Sequence, residues 1–299
     1  MTATIPASTL PEPAAVAGGR PRFAGGKGSR RASRWTYLGL IMILLASMFP
    51  LYWQFLIGSH TVDKFYQQVP PLIPGGFFWQ NAVRVVDTVE FWRALANSFL
   101  ISGVITVSVV TFSTLAGFAF AKLRFRGRNG LMAFVVATMA IPTQLGIIPL
   151  FMVMREVGLV GSVWAVILPG LVTAFGVFWM RQYLASALPD ELIEAARMDG
   201  CSMIRVFWHT AVPAARPAAA MLALFTFIMA WNDFMWPLIV LSPANPTVQT
   251  VLNQLQAGYA KDWPLVMAGT TMATIPLIVL FVVFGRQIVS GIMSGAVKG

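Results

Sequence analysis

The chain has 299 residues, of which 57% are hydrophobic and only 11% are charged, and its formal net charge is +10. About a quarter of the residues of an ordinary soluble domain are charged, so this composition excludes that class. The positive charge alone would suggest a nucleic-acid partner. The basic residues lie at the ends of long apolar segments, however, which is typical of a membrane protein, and we predict no nucleic-acid partner.

Residues 1–34 are rich in Pro, Ala, Gly, Ser and Arg and lack apolar periodicity, which predicts a disordered basic tail. Six later segments are each long enough to cross a bilayer core, which needs about 20 residues. Because backbone groups in lipid must be hydrogen-bonded internally, we predict an all-α protein with six transmembrane helices. The predicted spans are 35–57, 98–121, 130–154, 163–180, 218–241 and 264–285.

The positions of the Lys and Arg residues predict the orientation of these spans. With both termini in the cytoplasm, 16 of the 21 basic residues lie on the cytoplasmic side, which agrees with the positive-inside rule. The outer loops then carry only the remaining five, which are Lys64, Arg84, Arg93, Arg155 and Lys261. The opposite orientation would place most of the positive charge outside.

Residues able to form a catalytic or metal site are scarce. The single cysteine, Cys201, cannot form an internal disulfide, and His60 and His209 fall on opposite sides of the membrane in this topology. The sequence also offers no nucleophile beside a base and no pair of acids in one shared site. We therefore predict no catalytic, cofactor-binding or metal-binding residue and no enzymatic activity.

The polar loop 181–217 interrupts the apolar pattern between the fourth and fifth spans. Its signals predict one helix from Pro189 that ends at Gly200, and a second helix capped by Ser202. Apolar residues recur in the second helix at helical spacing, and Pro213 and Pro217 are expected to end it. These recurring residues are Ile204, Phe207, Trp208 and Ala211. The pattern alone fits a docking element or a passive pair of interfacial helices equally well.

Several polar residues lie inside or at the ends of the predicted spans, among them Asn97, Gln144, Asn232 and Asp233. Polar groups at such positions face the interior of a helix bundle or a wet cavity. They are candidates for a translocation path, and hydrogen bonds between helices are the alternative. Pro142 is expected to break the third span close to Gln144.

Several motifs resemble a known family. Glu194-Ala195-Ala196, the pair Asp199-Gly200 and the spacing to Pro213 resemble the EAA loop of ABC-importer membrane subunits, although Thr210 and Val212 replace the usual Ile and Leu. The order of further blocks is similar to the carbohydrate branch of this family, and to the six-span membrane subunit of the maltose transporter. These blocks are Asn97-Ser98, Trp231-Asn232-Asp233-Phe234 and the small residues near the C-terminus.

The resemblance covers residue 35 to the end of the chain and implies an ABC-importer permease fold over residues 35–289, with a cytoplasmic tail at 290–299, in a bacterial inner membrane. The tail 1–34 lies outside the resemblance, and its cytoplasmic side follows from the predicted topology. The resemblance also implies that a sugar or oligosaccharide is the substrate and that the partners are a second permease subunit, two ATPase subunits that bind ATP and Mg, and an extracytoplasmic solute-binding protein. The outer loops 60–93 and 242–263 would meet the binding protein. The residues expected to contact an ATPase subunit are Glu194, Ala195, Ala196, Asp199, Gly200, Phe207 and Pro213.

Three alternatives remain at this point. The same mechanism would serve another solute, such as glycerol phosphate. A stand-alone channel would transport without ATP, and it leaves the EAA loop unexplained. A membrane-embedded enzyme would need acids or histidines inside the spans, where only Asp233 lies near one.

Overall fold

The computed structural model describes residues 33–66, 72–257 and 261–296. Within these ranges the chain is helical, contains no β-strand, and has a single isolated bridge between Gly161 and Leu241. The prediction of an all-α fold is confirmed. The helices are α1 (Arg34–Gly58), α2 (Val62–Phe65), α3 (Phe78–Thr88), α4 (Phe91–Lys122), α5 (Arg128–Thr138), α6 (Ile147–Glu156), α7 (Trp164–Gly170), α8 (Ala174–Ala187), α9 (Asp190–Met198), α10 (Met203–Val206), α11 (Val212–Trp231), α12 (Met235–Val240), α13 (Val248–Gln254) and α14 (Trp263–Ala296), with a 3-10 helix at Thr143–Gly146 and a π-helix at Phe207–Ala211.

Five helical segments of the described chain are long and apolar enough to cross a membrane, and a bent pair of helices brings the number to six. The five are Arg34–Gly58, Phe91–Lys122, Trp164–Ala187, Met203–Trp231 and Trp263–Gly285. The bent pair is Arg128–Thr138 with Thr143–Glu156, and its two halves meet at 89°. Pro142 lies at this bend, so the predicted break in the third span is confirmed. Proline lacks the N–H that an uninterrupted helix requires.

The chain divides into two compact units at residue 48. The described part of the first unit is the beginning of α1. In the second unit, α8 and α11 both pack along α4, and their buried side chains form the main apolar core. The backbones of α4 and α8 meet at Gly117, where an added Cβ would lie 2.7 Å from the Cβ of Met180. In a membrane no hydrophobic force draws helices together, so their association depends on close packing. Small residues such as this glycine allow the two backbones to approach closely enough.

A second apolar cluster lies at the end of α11 where Trp231 is buried. It joins α3, the beginning of α4, α13 and α14, and Val85, Val251 and Ala268 are fully buried within it. The ring of Trp231 packs against Phe99 and Phe227, with centroid distances of 4.9 and 5.7 Å. This cluster attaches α3 and the short helix α13 to the end of the bundle at which Trp231 lies.

The helix boundaries differ from the predicted spans at several places. The second span begins at Phe91 rather than 98, and the fourth continues to Ala187 rather than 180. The fifth ends at Trp231, and α12 is a separate helix, so the prediction of one span over 218–241 was wrong. Apolar content places a span along the sequence but does not register where the helix stops.

The segments predicted as loops and tails are described in part. The loop 60–93 contains α2 and α3, and the loop 242–263 contains α13, while residues 67–71 and 258–260 lie outside the described residues. The predicted tail 1–34 lies outside them up to residue 32. The predicted C-terminal segment 290–299 continues α14 as far as Ala296, and residues 297–299 lie outside the described residues.

Candidate functional site

The helix α9 begins and ends as its sequence predicts. Asp190 and Glu191 lie in its first turn and Arg197 lies in its last. Each side chain therefore has the charge opposite to that of the nearer end of the helix dipole, which stabilises the helix. Gly200 follows with φ +77°, and its N–H donates to the carbonyl of Arg197 at 3.0 Å. A left-handed residue after the last turn is the usual end of a helix, and glycine adopts it without a steric cost.

The second helix of the loop is not a separate element. The Ser202 hydroxyl accepts a hydrogen bond from the N–H of Arg205 at 3.4 Å, and from Met203 the chain remains helical to Trp231 over 29 residues. The prediction that Pro213 and Pro217 end this helix was wrong. Pro213 lies in the first turn of α11, directly after the π turn, and Pro217 is accommodated inside the helix. A membrane helix tolerates proline where neighbouring groups and local π adjustments satisfy the freed carbonyls.

The apolar residues of this helix divide into two faces. Phe207 is only 7% exposed and Val206 only 1%, whereas Ile204 is 73% exposed and Trp208 is 58% exposed. The Phe207 ring packs against Phe118 of α4, with centroids 5.5 Å apart. The single amphipathic face expected for Ile204, Phe207, Trp208 and Ala211 is therefore absent. Phe207 lies in the core and anchors the helix to the bundle.

We call residues 190–213 the EAA unit, and its exposed residues form the EAA surface. Glu194, Ala195, Asp199, Gly200 and Pro213 are exposed, and Ala196 is half-buried. Their apolar neighbours on the exposed side are Leu192, Met198, Ile204 and Trp208, and Met198 is 88% exposed. Exposed apolar groups on this scale mark a surface that binds another protein or a membrane.

An ion pair ties the beginning of α9 to the end of α4. The Nζ atom of Lys122 lies 2.7 Å from Oδ1 of Asp190 and also donates to the carbonyl of Ala185 at 3.4 Å. The hydrogen bond from Lys122, followed by the lysine charge, lowers the pKa of Asp190 below its ordinary value. The sequence analysis missed this pair. Opposite charges on two loops predicted on the same side of the membrane were the available signal.

The structure brings some of the predicted path residues together at the far end of α11. The Asn97 side-chain amide donates to the carbonyl of Pro246 at 2.9 Å. Gln249, three residues further along, donates to Oδ1 of Asn232 at 3.4 Å. Asp233 follows in the turn after α11, where it is half-buried.

Gln144 is different from these three residues. It is exposed on the 3-10 helix Thr143–Gly146, and no described hydrogen bond connects its side chain to the others. The Pro246–Gln249 segment also receives a contact from the neighbour of Asn97, because the N–H of Val248 donates to the Ser98 hydroxyl at 2.9 Å. Two of the four path candidates, Asn97 and Asn232, thus contact one segment; Asp233 follows Asn232 in the chain, and no described hydrogen bond joins Gln144 to the segment.

The described chain is a bundle of helices long and apolar enough to cross a membrane, and one of them extends into an exposed helical surface, which is the architecture of a multi-pass membrane protein. The chain belongs to the family described as "Binding-protein-dependent transport system inner membrane component", whose model matches residues 110–293. The predicted family is thereby confirmed, and the chain is a multi-pass inner-membrane permease subunit of an importer and not an enzyme.

Related proteins cover nearly the whole chain. An arabinooligosaccharides transport system permease protein, AraQ, from Halalkalibacterium halodurans is 37% identical, and the match covers 88% of this chain and 95% of that protein. An sn-glycerol-3-phosphate transport system permease protein, UgpE, from Yersinia pestis bv. Antiqua is 32% identical, with 86% and 94% covered.

The fold also occurs in a solved transporter structure. A chain from the crystal structure of a bacterial ABC transporter involved in the import of the acidic polysaccharide alginate matches with a TM-score of 0.74 and 24% identity. The match covers 86% of this chain and 98% of that chain. The predicted ABC-importer permease fold is confirmed.

Proposed function

We propose that this subunit carries a sugar or oligosaccharide into the cytoplasm and that ATPase subunits drive it through the EAA surface. The single observation that carries the coupling proposal is the continuity of the helix from Met203 to Trp231. One end of this helix belongs to the exposed EAA unit. The other end belongs to the buried cluster beside Asn97 and Asn232. Movement of a partner at the first end is therefore transmitted along a rigid element of about 43 Å, at 1.5 Å per residue.

The two faces of the EAA unit have separate tasks in this proposal. The exposed residues Glu194, Ala195, Ala196, Asp199 and Gly200 meet the ATPase subunit, and the small alanines permit close approach. Pro213 lies at the edge of this contact. Phe207 acts from inside by holding the unit on α4, with the Lys122–Asp190 pair as a second attachment. ATP and Mg are bound by the ATPase subunits, and we assign no cofactor to this chain.

The cargo proposal rests on the names of the relatives and on the chemistry near Asn97. An arabinooligosaccharide permease and a glycerol-phosphate permease are both similar to this chain. Amide groups such as Asn97 and Asn232 suit the hydroxyls of an uncharged sugar. Glycerol phosphate is the second candidate, because Arg93 lies one helical turn before Asn97 and hydrogen-bonds Asn245 at 3.1 Å. A guanidinium group there would suit a phosphate.

The remaining partners follow from the importer class. We propose a second permease subunit, two ATPase subunits and a solute-binding protein that docks on the outer loops 60–93 and 242–263. Both termini lie in the cytoplasm in this arrangement, and residues 290–299 also approach the ATPase pair. The distribution of basic residues supports this orientation.

Uptake into proteoliposomes that contain the complete importer tests the cargo proposal. Labelled neutral oligosaccharides and labelled glycerol 3-phosphate are compared with and without ATP and with and without the binding protein. We expect ATP-dependent and binding-protein-dependent uptake of the neutral sugar. Uptake of glycerol phosphate alone, abolished by Arg93→Gln, would select the second candidate. Uptake that needs no ATP would contradict the coupling proposal as well.

A further inference from the structure

A cavity of about 510 Å³ lies between the end of α4, one face of α5 and the middle of α8. Its lining is divided by chemistry. One part is polar and includes Arg128, Asn129, Arg181 and Gln182. The other part is apolar and includes Phe120 and Phe178 together with one face of α5. The functional proposal above does not use this cavity.

The polar part of the cavity carries two positive charges and no negative one. No Asp or Glu lines it. Among the described residues, the ion pairs are Arg84–Asp262 and Lys122–Asp190, so neither cavity arginine has a carboxylate partner in this part of the chain. Both arginines are half-buried, and partial burial of a guanidinium group without an anion carries a desolvation cost.

The hydrogen bonds of the two arginines leave donors free for a ligand. Arg128 donates from Nη1 to the carbonyl of Leu123 at 3.2 Å. Arg181 donates from Nη1 to the side-chain oxygen of Gln182. The Nε atom of Arg181 is buried and has no hydrogen-bond partner among the described residues. The fork of donors on a guanidinium matches the oxygens of a phosphate.

The apolar part of the cavity extends along α5 from the arginines. Met132 and Val136 lie one turn apart, and Ala133 and Ala137 repeat the same spacing beside them. From Arg128 to Ala137 the helix rises about 13 Å at 1.5 Å per residue. A free phosphate ion would leave this apolar strip uncovered, whereas an amphiphile would cover both parts.

We propose that this cavity binds an anionic phospholipid, with the phosphate between Arg128 and Arg181 and an acyl chain along α5. Both helices belong to membrane segments; Arg128 is the first residue of α5, and Arg181 lies in the second half of the span that ends at Ala187. Long basic side chains in such positions can extend toward the headgroups. Basic pockets between membrane helices are suited to anionic headgroups. Asn129 and Gln182 add amide donors for the headgroup or the glycerol oxygens. Small side chains at Ala133 and Ala137 leave room for the chain.

Binding of phosphatidylglycerol to the purified full chain, measured by native mass spectrometry, tests this proposal. Phosphatidylethanolamine with the same acyl chains and inorganic phosphate are the comparison ligands. We expect phosphatidylglycerol to be favoured, and Arg128→Gln with Arg181→Gln to weaken it about tenfold or more, since hydrogen bonds to charged groups are lost. The control pair Arg124→Gln with Arg126→Gln removes two exposed charges from the adjoining loop and should have little effect.

A second pair of variants tests the apolar part without changing charge. Ala133→Trp fills the strip and should weaken phosphatidylglycerol binding, while Leu131→Trp, two positions away and exposed, should not. Equal losses from both arginine pairs would overturn the proposal in favour of diffuse surface attraction. Competition by inorganic phosphate that Ala133→Trp leaves unchanged would identify a free-phosphate site instead. Loss of the bound lipid when the complete importer assembles would show that the partner permease covers the cavity, and would also overturn it.

Discussion

The two ends of the helix Met203–Trp231 are built in opposite ways. The EAA end is formed by residues close in sequence, and apolar side chains such as Ile204 and Trp208 remain exposed there. The Trp231 end is buried, and hydrogen bonds from residues far apart in sequence complete it, such as Asn97 to Pro246. One end is therefore prepared to receive a partner, while the other is fixed inside the subunit.

A single helix can couple two sites when one of its ends is free to bind a partner and the other is packed inside the subunit. Coupling through one helix requires that the EAA surface remains free to bind a partner. It also requires that the Trp231 end moves together with the residues packed around it. Phe207 and Val206 hold the EAA unit against the bundle, because they pack into the main apolar core. The comparison would fail if both ends responded in the same way to equivalent substitutions.

The largest expected effect comes from breaking the core that connects the two ends. Gly117→Leu should destroy folding, because an added Cβ lies 2.8 Å from the backbone nitrogen of Arg181 and 2.7 Å from Met180. Overpacking costs about 1–3 kcal/mol and more where backbone cannot move. Gly103→Leu in the same helix meets no atom within 4 Å and is the control. Thermal stability in detergent should fall for the first variant only.

Phe207 and Trp208 should separate the anchor from the docking surface. Phe207→Ala removes a buried ring and should lower the free energy of unfolding, by about 3–5 kcal/mol on the scale of soluble cores. Trp208→Ala removes an exposed ring and should leave stability unchanged while it weakens the ATPase complex. Thermal denaturation and ATPase co-purification measure the two effects. Equal loss of stability in both variants would remove the distinction between the faces.

Gly200 should show a conformational effect without a steric one. Its φ of +77° costs an L-residue about 1–2 kcal/mol, although a Cβ there meets no atom within 4 Å. Gly200→Ala should therefore weaken ATPase docking, and Gly200→Val should weaken it further. Gly130→Ala, at an open helical position, should have no adverse effect. Normal co-purification of Gly200→Val would show that the end of α9 is not needed for docking.

The smallest effect is expected at the exposed Asp190. Its pKa is lowered in the folded chain, so the pair with Lys122 is fully present above the ordinary value of 3.8 and is lost as the pH falls through the lowered one. The Lys122–Asp190 pair is therefore intact at both pH 7 and pH 5. It should cause no difference between these pH values in the affinity of the wild-type chain for the ATPase subunit. Asp190→Asn should reduce affinity about twofold at both pH values, as for a surface ion pair. Glu191→Gln, in the same helical turn, is the matched control.

The sequence predicted the EAA unit well because its signals are local. Pro189, Gly200 and Ser202 determine helix ends within a few residues, and each boundary was found where expected. The division of Phe207 from Trp208 was missed because the π turn changes the helical period, and nothing in the apolar spacing announces it. The end of the fifth span was missed because an apolar run resumes at Phe234, although the polar pair Asn232-Asp233 at the break was an available signal.

The far end was harder to predict because tertiary contacts build it. Asn97, Asn232 and Asp233 were selected as polar residues at span ends, and Asn97 and Asn232 do contact the segment that precedes and begins α13. Gln144 satisfied the same criterion and lies apart from them. Its position depends on the 89° bend between α5 and the Thr143–Glu156 helix, a direction that the sequence does not specify.

The most direct test of the account is the ratio of sugar transported to ATP hydrolysed by the complete importer when the helix Met203–Trp231 is interrupted. Three glycines inserted between Pro213 and Ala214 leave the EAA surface intact but make the connection to the bundle flexible. The same insertion after Arg126, in the loop between α4 and α5, is the control. We predict that the variant with the helix insertion still assembles with the ATPase subunits and hydrolyses ATP but no longer transports sugar. The control variant should retain assembly, hydrolysis and transport. Transport at the wild-type ratio through the interrupted helix would contradict the account.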